Sequence, residues 1–180
     1  MKSGLQTAGF LLLFLFVFVF FLSSCESRIA QDRFAYTKKN IEVEISGKID
    51  GEQIRATLHS NAGAENQEIK VSLRFTCPKS LDGITVALLA NGDCSARLHD
   101  TAVHTEGLEG LIEPFRPVFE AGDVFSVKKN SDGSEDVRVY DENCDITYRF
   151  VNDSDIPLLV RGECCGKKLD LLISLPSGAD

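Results

Sequence analysis

From Ile41 onward, apolar and polar residues alternate along most of the chain. Ile41, Val43 and Ile45 alternate with Glu42, Glu44 and Ser46, the pattern of a strand with one buried face. Asp50-Gly51 interrupts this run, and Ile54, Ala56 and Leu58 resume it against Arg55, Thr57 and His59. Asp-Gly between two alternating runs predicts a hairpin, because a type I′ turn requires positive φ at both central residues. Glu42 and Glu44 are then expected to face Arg55 across the pair. Ile69, Val71, Leu73 and Phe75 form the cleanest apolar face, with Lys70, Ser72 and Arg74 opposite. Pro78 ends that strand, since it has no N–H to give to a ladder. Lys79 to Gly83 reads as a turn, Ile84 to Ala90 as a strand and Asn91-Gly92 as a second hairpin turn. Cys94, Ala96 and Leu98 continue the alternation.

The spacing then becomes helical. Leu108, Leu111, Ile112, Phe115, Val118 and Phe119 recur at intervals of three or one. Pro114 and Pro117 forbid one regular helix, so one or two short kinked helices are expected. Such a segment either covers a sheet or acts as a lid over a ligand cavity. Strand pattern returns at Val124 to Lys129 and, past Asp132-Gly133, at Val137 and Val139. Ile146, Tyr148 and Phe150 make another alternating run, Asn152 to Asp155 a turn, and Ile156 to Glu163 and Leu169 to Leu175 two last strands.

These elements predict a mainly antiparallel β (α+β) fold. About nine to ten strands would form a curved sheet or incomplete barrel, with one or two short helices on its concave face. The binary pattern leaves an open half-barrel and a two-sheet sandwich equally available. The residues expected to face the concavity, as core or as the lining of an apolar ligand site, are Leu73, Phe75, Leu108, Leu111, Ile112, Phe115, Phe119, Tyr148 and Phe150.

The first forty residues differ. Phe10 to Leu22 is an uninterrupted apolar run of thirteen residues behind a single charge, Lys2. As a helix it spans only about 20 Å, short of the ~30 Å membrane core, so it suits the apolar region of an export signal. Leu22-Ser23-Ser24-Cys25 follows at once. This tetrapeptide resembles the lipobox of bacterial lipoproteins. The resemblance implies cleavage between Ser24 and Cys25 and a diacylglycerol on the Cys25 thiol. Two acyl chains give stable membrane attachment. Residues 1–24 are thus expected to be a signal peptide, 25–40 an anchor and tether, and 41–180 one extracytoplasmic domain at the cell membrane.

Without residues 1–24 the chain has 156 residues and a formal charge of −9. That is one domain of ordinary size. Its acidity disfavours nucleic acid as a partner. Tryptophan is absent and six of the twelve phenylalanines fall in the apolar run, which weakens a carbohydrate-platform reading.

Five cysteines remain beyond Cys25. Cys77, Cys94, Cys144 and Cys164 share the phase of apolar faces, and Cys165 points outward. The inward four are either buried thiols or form one or two disulfides, which an exported location favours. No Cys-x-x-Cys is present, and His59, His99 and His104 lack ligand spacing. Nucleophile-elbow, phosphate-loop and His-Glu-x-x-His motifs are also missing from the sequence. No catalytic, metal or cofactor site is expected, nor an enzymatic function.

Phe75-Thr76-Cys77-Pro78-Lys79-Ser80-Leu81-Asp82-Gly83-Ile84, in its strand–Pro–turn–strand context, resembles a segment of small uncharacterised lipoproteins from anaerobic Gram-positive bacteria. Tyr148-x-Phe150, a turn, Pro157 and two strands are similar to them too. The strand–helix–strand order resembles the lipoprotein-carrier and lipoprotein-receptor (LolA/LolB-like) half-barrel. That resemblance implies an apolar concavity able to hold an acyl chain. The functional expectation is a membrane-anchored protein that binds a lipid or other hydrophobic ligand. The alternative is a structural or protein-interaction module of the envelope with a filled core.

Overall fold

The computed structural model describes residues 32–99, 101–103, 107–120, 122–151 and 154–176. Its strands form one open, curved antiparallel sheet. The first meander is β1 (Ile41–Ile49), β2 (Glu52–Ser60), β3 (Ile69–Cys77), β4 (Ile84–Leu89), β5 (Cys94–Leu98) and β6 (Thr101–Val103). The second is β7 (Val124–Lys129), β8 (Glu135–Tyr140), β9 (Cys144–Phe150), β10 (Leu159–Cys164) and β11 (Lys167–Ser174). They join where β1 pairs with β11, from Glu44↔Ser174 to Ile49↔Leu169. The order across the sheet is β6-β5-β4-β3-β2-β1-β11-β10-β9-β8-β7. The first and last strands therefore lie at the centre, and the edges are β6 and β7.

Local turn chemistry sets most of this register. Asp50 and Gly51 take φ of 51° and 86° between the paired residues Ile49 and Glu52, the type I′ turn that Asp-Gly predicts. Cys165-Gly166 makes the equivalent turn between β10 and β11, with φ of 52° and 72°. Two strand glycines permit close backbone approach. A Cβ on Gly47 would collide with the Asp170 carbonyl, and one on Gly162 with the Asp145 carbonyl. Across the outer face, Arg149 pairs with Asp136 at 2.8 Å and Arg161 with Asp170 at 2.9 Å, each its direct strand partner. These half-exposed pairs pin the register and contribute less than about 1 kcal/mol each.

The inner face is one continuous apolar core. Val43, Ile45, Leu58, Leu73, Phe75, Val86, Val137, Ile146, Tyr148, Phe150, Val160 and Leu171 are all essentially inaccessible. A helical segment crosses over them and links one sheet edge to the other. It consists of α1 (Glu109–Ile112), a 3-10 turn (Glu113–Phe115) and α2 (Arg116–Phe119). Pro114 and Pro117 each fall in the first turn of a new helical piece, where a missing N–H breaks no ladder bond. The segment thus bends at its prolines and keeps Leu108, Ile112, Phe115, Val118 and Phe119 buried in the core.

Several details depart from the sequence-based expectation. The described residues hold eleven strands, and the helical segment follows the sixth. The extra strand, Thr101–Val103, has three residues, too few for a period to register. Glu42 faces His59, at 3.6 Å, and Arg55 pairs with Ser46, because the two-residue turn fixes the register. The penultimate strand begins at Leu159, beyond Pro157, which has no N–H to donate. Phe34 and Tyr36, within the stretch expected to be a tether, are each 2% exposed and belong to the core. Phe34 precedes and Tyr36 lies within a 3-10 turn, Ala35–Lys38, and the folded unit therefore starts ahead of Ile41. The expected signal peptide, the cleavage and lipidation residues Ser24 and Cys25, the start of the tether as far as residue 31, His104, and Asn152 and Asp153 of the expected turn lie outside the described residues.

Candidate functional site

The helical cover and the sheet beneath it hold the residues expected to face a ligand. Phe75 and Phe115 meet edge-on at 5.9 Å between ring centroids. Phe34 stands edge-on to Tyr148 at 4.9 Å and to Phe150 at 6.1 Å. Arg33 lies over the Phe150 ring and pairs with Glu135 at 2.8 Å, which fastens the Phe34 segment to β8 and β9. Eight of the nine expected lining residues, Leu73, Phe75, Leu108, Ile112, Phe115, Phe119, Tyr148 and Phe150, are fully buried in one packed cluster. Only Leu111 is partly exposed. Side chains, including Phe34 and Tyr36, fill the concavity.

Clefts remain on both sides of the cover. One, of about 330 Å³, lies between the α1 end of the cover and the β1–β2 turn. Ile49, Ile54, Phe75, Leu81, Leu111 and Phe115 give it an apolar wall. Its ionisable groups are Asp50, Glu52 and Lys167. Lys167 binds Asp50 at 2.9 Å, and the Lys168 N–H donates to the same carboxylate at 2.9 Å. These contacts, the Lys168 N–H foremost, hold the Asp50 carboxyl below its usual range. A second cleft, of about 210 Å³, lies under Arg116, Pro117 and Glu120 against Ile146, Tyr148 and the Cys144–Cys164 pair. Burial, and then Asp141, pushes the Tyr148 phenol far above its ordinary value.

The cysteines separate into different environments. Cys144 and Cys164 are direct partners in the β9–β10 ladder and form a disulfide. Cys94 is a half-buried free thiol. Burial, with Glu109, Asp93 and Glu113 nearby, pushes its pKa up, which opposes thiolate formation. Cys77 does not follow the Phe75 face inward. A register shift opposite Arg55 and Ala56 makes Cys77 the partner of Arg55, and its thiol donates to the Gln53 carbonyl at 3.6 Å. Cys165 is exposed.

Sequence reasoning reached Leu111, Phe75 and Phe115 through their spacing. It missed Ile49, Ile54, Leu81 and Lys167 as cleft residues. Ile54 and Leu81 carried a signal, as inward positions beside the turns that border the cover. Lys167 reaches Asp50 only through the β1–β11 pairing, for which no local pattern exists. Among the described residues, no helix is long and apolar enough to cross a membrane.

No protein-family model and no curated protein matches the chain. Two solved structures are similar in outline. An uncharacterized conserved protein from Thermus thermophilus is 11% identical, with 84% of this chain and 90% of that one aligned and a TM-score of 0.48. A DUF1329 family protein from Desulfovibrio piger is 10% identical, with 86% and 95% aligned and a TM-score of 0.39.

Proposed function

We propose that the protein is a non-enzymatic binding lipoprotein, held by Cys25 on the extracytoplasmic side of the cell membrane. It takes a small apolar ligand, or the end of an acyl chain, in the cleft beside Leu111. The observation that carries this reading is the cleft itself. Its apolar wall, charged rim and volume of about 330 Å³ fall within the range of ligand sites, roughly 300–1,000 Å³. The Phe10–Leu22 run and Leu22-Ser23-Ser24-Cys25 support the address.

One observation favours a second reading, that of an interaction module of the envelope. The concavity is filled by its own side chains, so the fold is complete without a ligand.

The experiment compares residues 26–180 with the Leu111→Trp variant, which fills the cleft from a partly exposed position. Among the described residues the core runs from Phe34 to Ile173, and this piece retains all of it. Native mass spectrometry and titration with a fluorescent fatty acid are the readouts. A bound species or probe that Leu111→Trp displaces at least tenfold supports the ligand site. A wild-type domain that is empty and ignores the probe overturns it in favour of the interaction module.

A further inference from the structure

Three sulfurs meet at the end of the β9–β10 hairpin, and the binding reading above makes no use of them. Cys144 begins β9 and Cys164 ends β10, directly opposite. Cys165 follows in the two-residue turn, and its positive φ brings its side chain back beside Cys164, with the two Sγ atoms 3.9 Å apart. All three Sγ atoms lie within 4.8 Å of one another. The backbone carrying them is tied together. The Cys165 N–H donates to the Asn143 carbonyl at 2.8 Å. Asp141 Oδ1 accepts from the N–H groups of Asn143 at 2.7 Å and Cys144 at 2.8 Å.

We propose that, once the Cys144–Cys164 bond is reduced, Cys144, Cys164 and Cys165 form a three-thiolate site for a soft divalent cation of the zinc and cadmium type. A metal–sulfur bond of about 2.3 Å places neighbouring tetrahedral ligands about 3.8 Å apart. Cys164 and Cys165 already stand at that spacing. Cys144 is carried by the neighbouring strand, at a Cα–Cα distance of 4.1 Å from Cys164, and reaches the spacing by side-chain rotation. Thiolates select soft cations over magnesium or calcium, and water completes the fourth position.

Charge favours a cation here over an anionic thiol. The groove that opens beside Cys144 is lined by Asp141, Glu142 and Glu163. None of these has an ion-pair partner among the described residues, whereas Asp145 and Asp170 are each matched by an arginine. Lys168 is the cation left against them. The chemistry balances in two steps. A dithiol gives two electrons and two protons to the Cys144–Cys164 bond and becomes a disulfide itself. The divalent cation then displaces three thiol protons to give a trithiolate complex of charge −1. The disulfide and the metal site are thus alternative states of one cluster.

The test uses the full chain in detergent, reduced under nitrogen with a phosphine, which becomes its oxide with oxygen from water. Cd²⁺ is titrated and thiolate-to-metal charge-transfer absorbance is followed. One Cd²⁺ per chain is expected, displaced by Zn²⁺, with Cys144, Cys164 and Cys165 protected from alkylation. Cys165→Ser, in an exposed turn, should weaken binding at least tenfold, while a Cys77→Ser/Cys94→Ser double variant should bind as the parent does. No uptake by the reduced chain, or equal uptake by Cys165→Ser, overturns the proposal.

Discussion

Replacing Tyr36 with phenylalanine should stabilise the protein. The ring is 2% exposed, and its hydroxyl is buried with no hydrogen-bond partner among the described residues. Burial, and then Tyr148, pushes its ionisation well above the ordinary value. Burying a hydroxyl without a partner costs about 1–3 kcal/mol. Phenylalanine keeps the ring and leaves a void of roughly 15 Å³, worth about 0.4 kcal/mol against the variant. The net gain is about 0.5–2.5 kcal/mol. In a domain of this size that raises Tm by about 2–8 °C. Thermal and urea unfolding followed by far-ultraviolet circular dichroism measure both numbers. Phe34→Ala is the companion variant. It removes the ring that stands edge-on to Tyr148 at 4.9 Å and should cost about 3–5 kcal/mol. A Tyr36→Phe variant that loses more than about 1 kcal/mol would mean that its hydroxyl has a partner after all. A Phe34→Ala cost below the same ~1 kcal/mol would detach the whole segment from the core.

Three further outcomes follow from named residues. Gly47→Ala forces a Cβ against the Asp170 carbonyl and should lower stability by more than about 2 kcal/mol. Gly110→Ala, in open space on a helical turn, should raise it by up to about 1 kcal/mol; urea midpoints that rank the two in the opposite order refute the close-approach reading. Folding lowers the pKa of Asp50 through the Lys168 N–H, of Asp132 through Ser134, of Asp136 through Arg149 and of Asp145 through Arg138. The folded state then binds fewer protons than the unfolded one, so the stability these groups confer is complete at neutral pH and is lost as pH falls below about 4. A urea midpoint that stays flat or rises from pH 5 to pH 2 contradicts this sign. Cys25→Ala should remove a diacylglyceryl mass from the chain and release it from the membrane fraction. Unchanged mass and pelleting would eliminate the lipobox assignment.

Most of the sheet was legible because most of its pairings are hairpins. Asp50-Gly51 specifies its own turn, and with it the full β1–β2 register. The pairing of β1 with β11 joins segments more than a hundred residues apart, and nothing local announces it. That pairing chooses an open sheet over a sandwich, and it carries Lys167 to the cleft. Phe34 and Tyr36 were illegible for a different reason. Two aromatics in a polar stretch have no period, and it is the packing of Phe34 against Tyr148 and Phe150, with Tyr36 beside it, that makes them core. The cysteine phases put Cys144 and Cys164 on one face, but the β9–β10 register pairs them. Cys77 escaped the same logic because a single register shift reverses the faces beyond it. For the site, spacing found the face of the cover and could not say whether the space beneath it was filled.

The filled core bears directly on what a ligand can do. Leu108, Ile112, Phe115, Val118 and Phe119 tie the cover to the sheet. Exposing them costs about 1.5–3 kcal/mol each, or roughly 8–15 kcal/mol together. A ligand of micromolar affinity has about 8 kcal/mol to offer. If it took the cover's place, it would shield the sheet again but leave those five side chains in water. Lifting the whole cover is therefore beyond an ordinary ligand. Leu111 is the exception in the segment, because it is only partly buried and already faces the cleft. A ligand that enters there displaces solvent and one side-chain rotamer, and keeps the α2 contacts intact. Under the proposed reading, the energetics thus direct a ligand to a cleft that is already open beside the cover, such as the one of about 330 Å³ at Leu111. A larger lipid would bind with only part of its chain enclosed and the remainder along the exposed rim of Glu52 and Lys167.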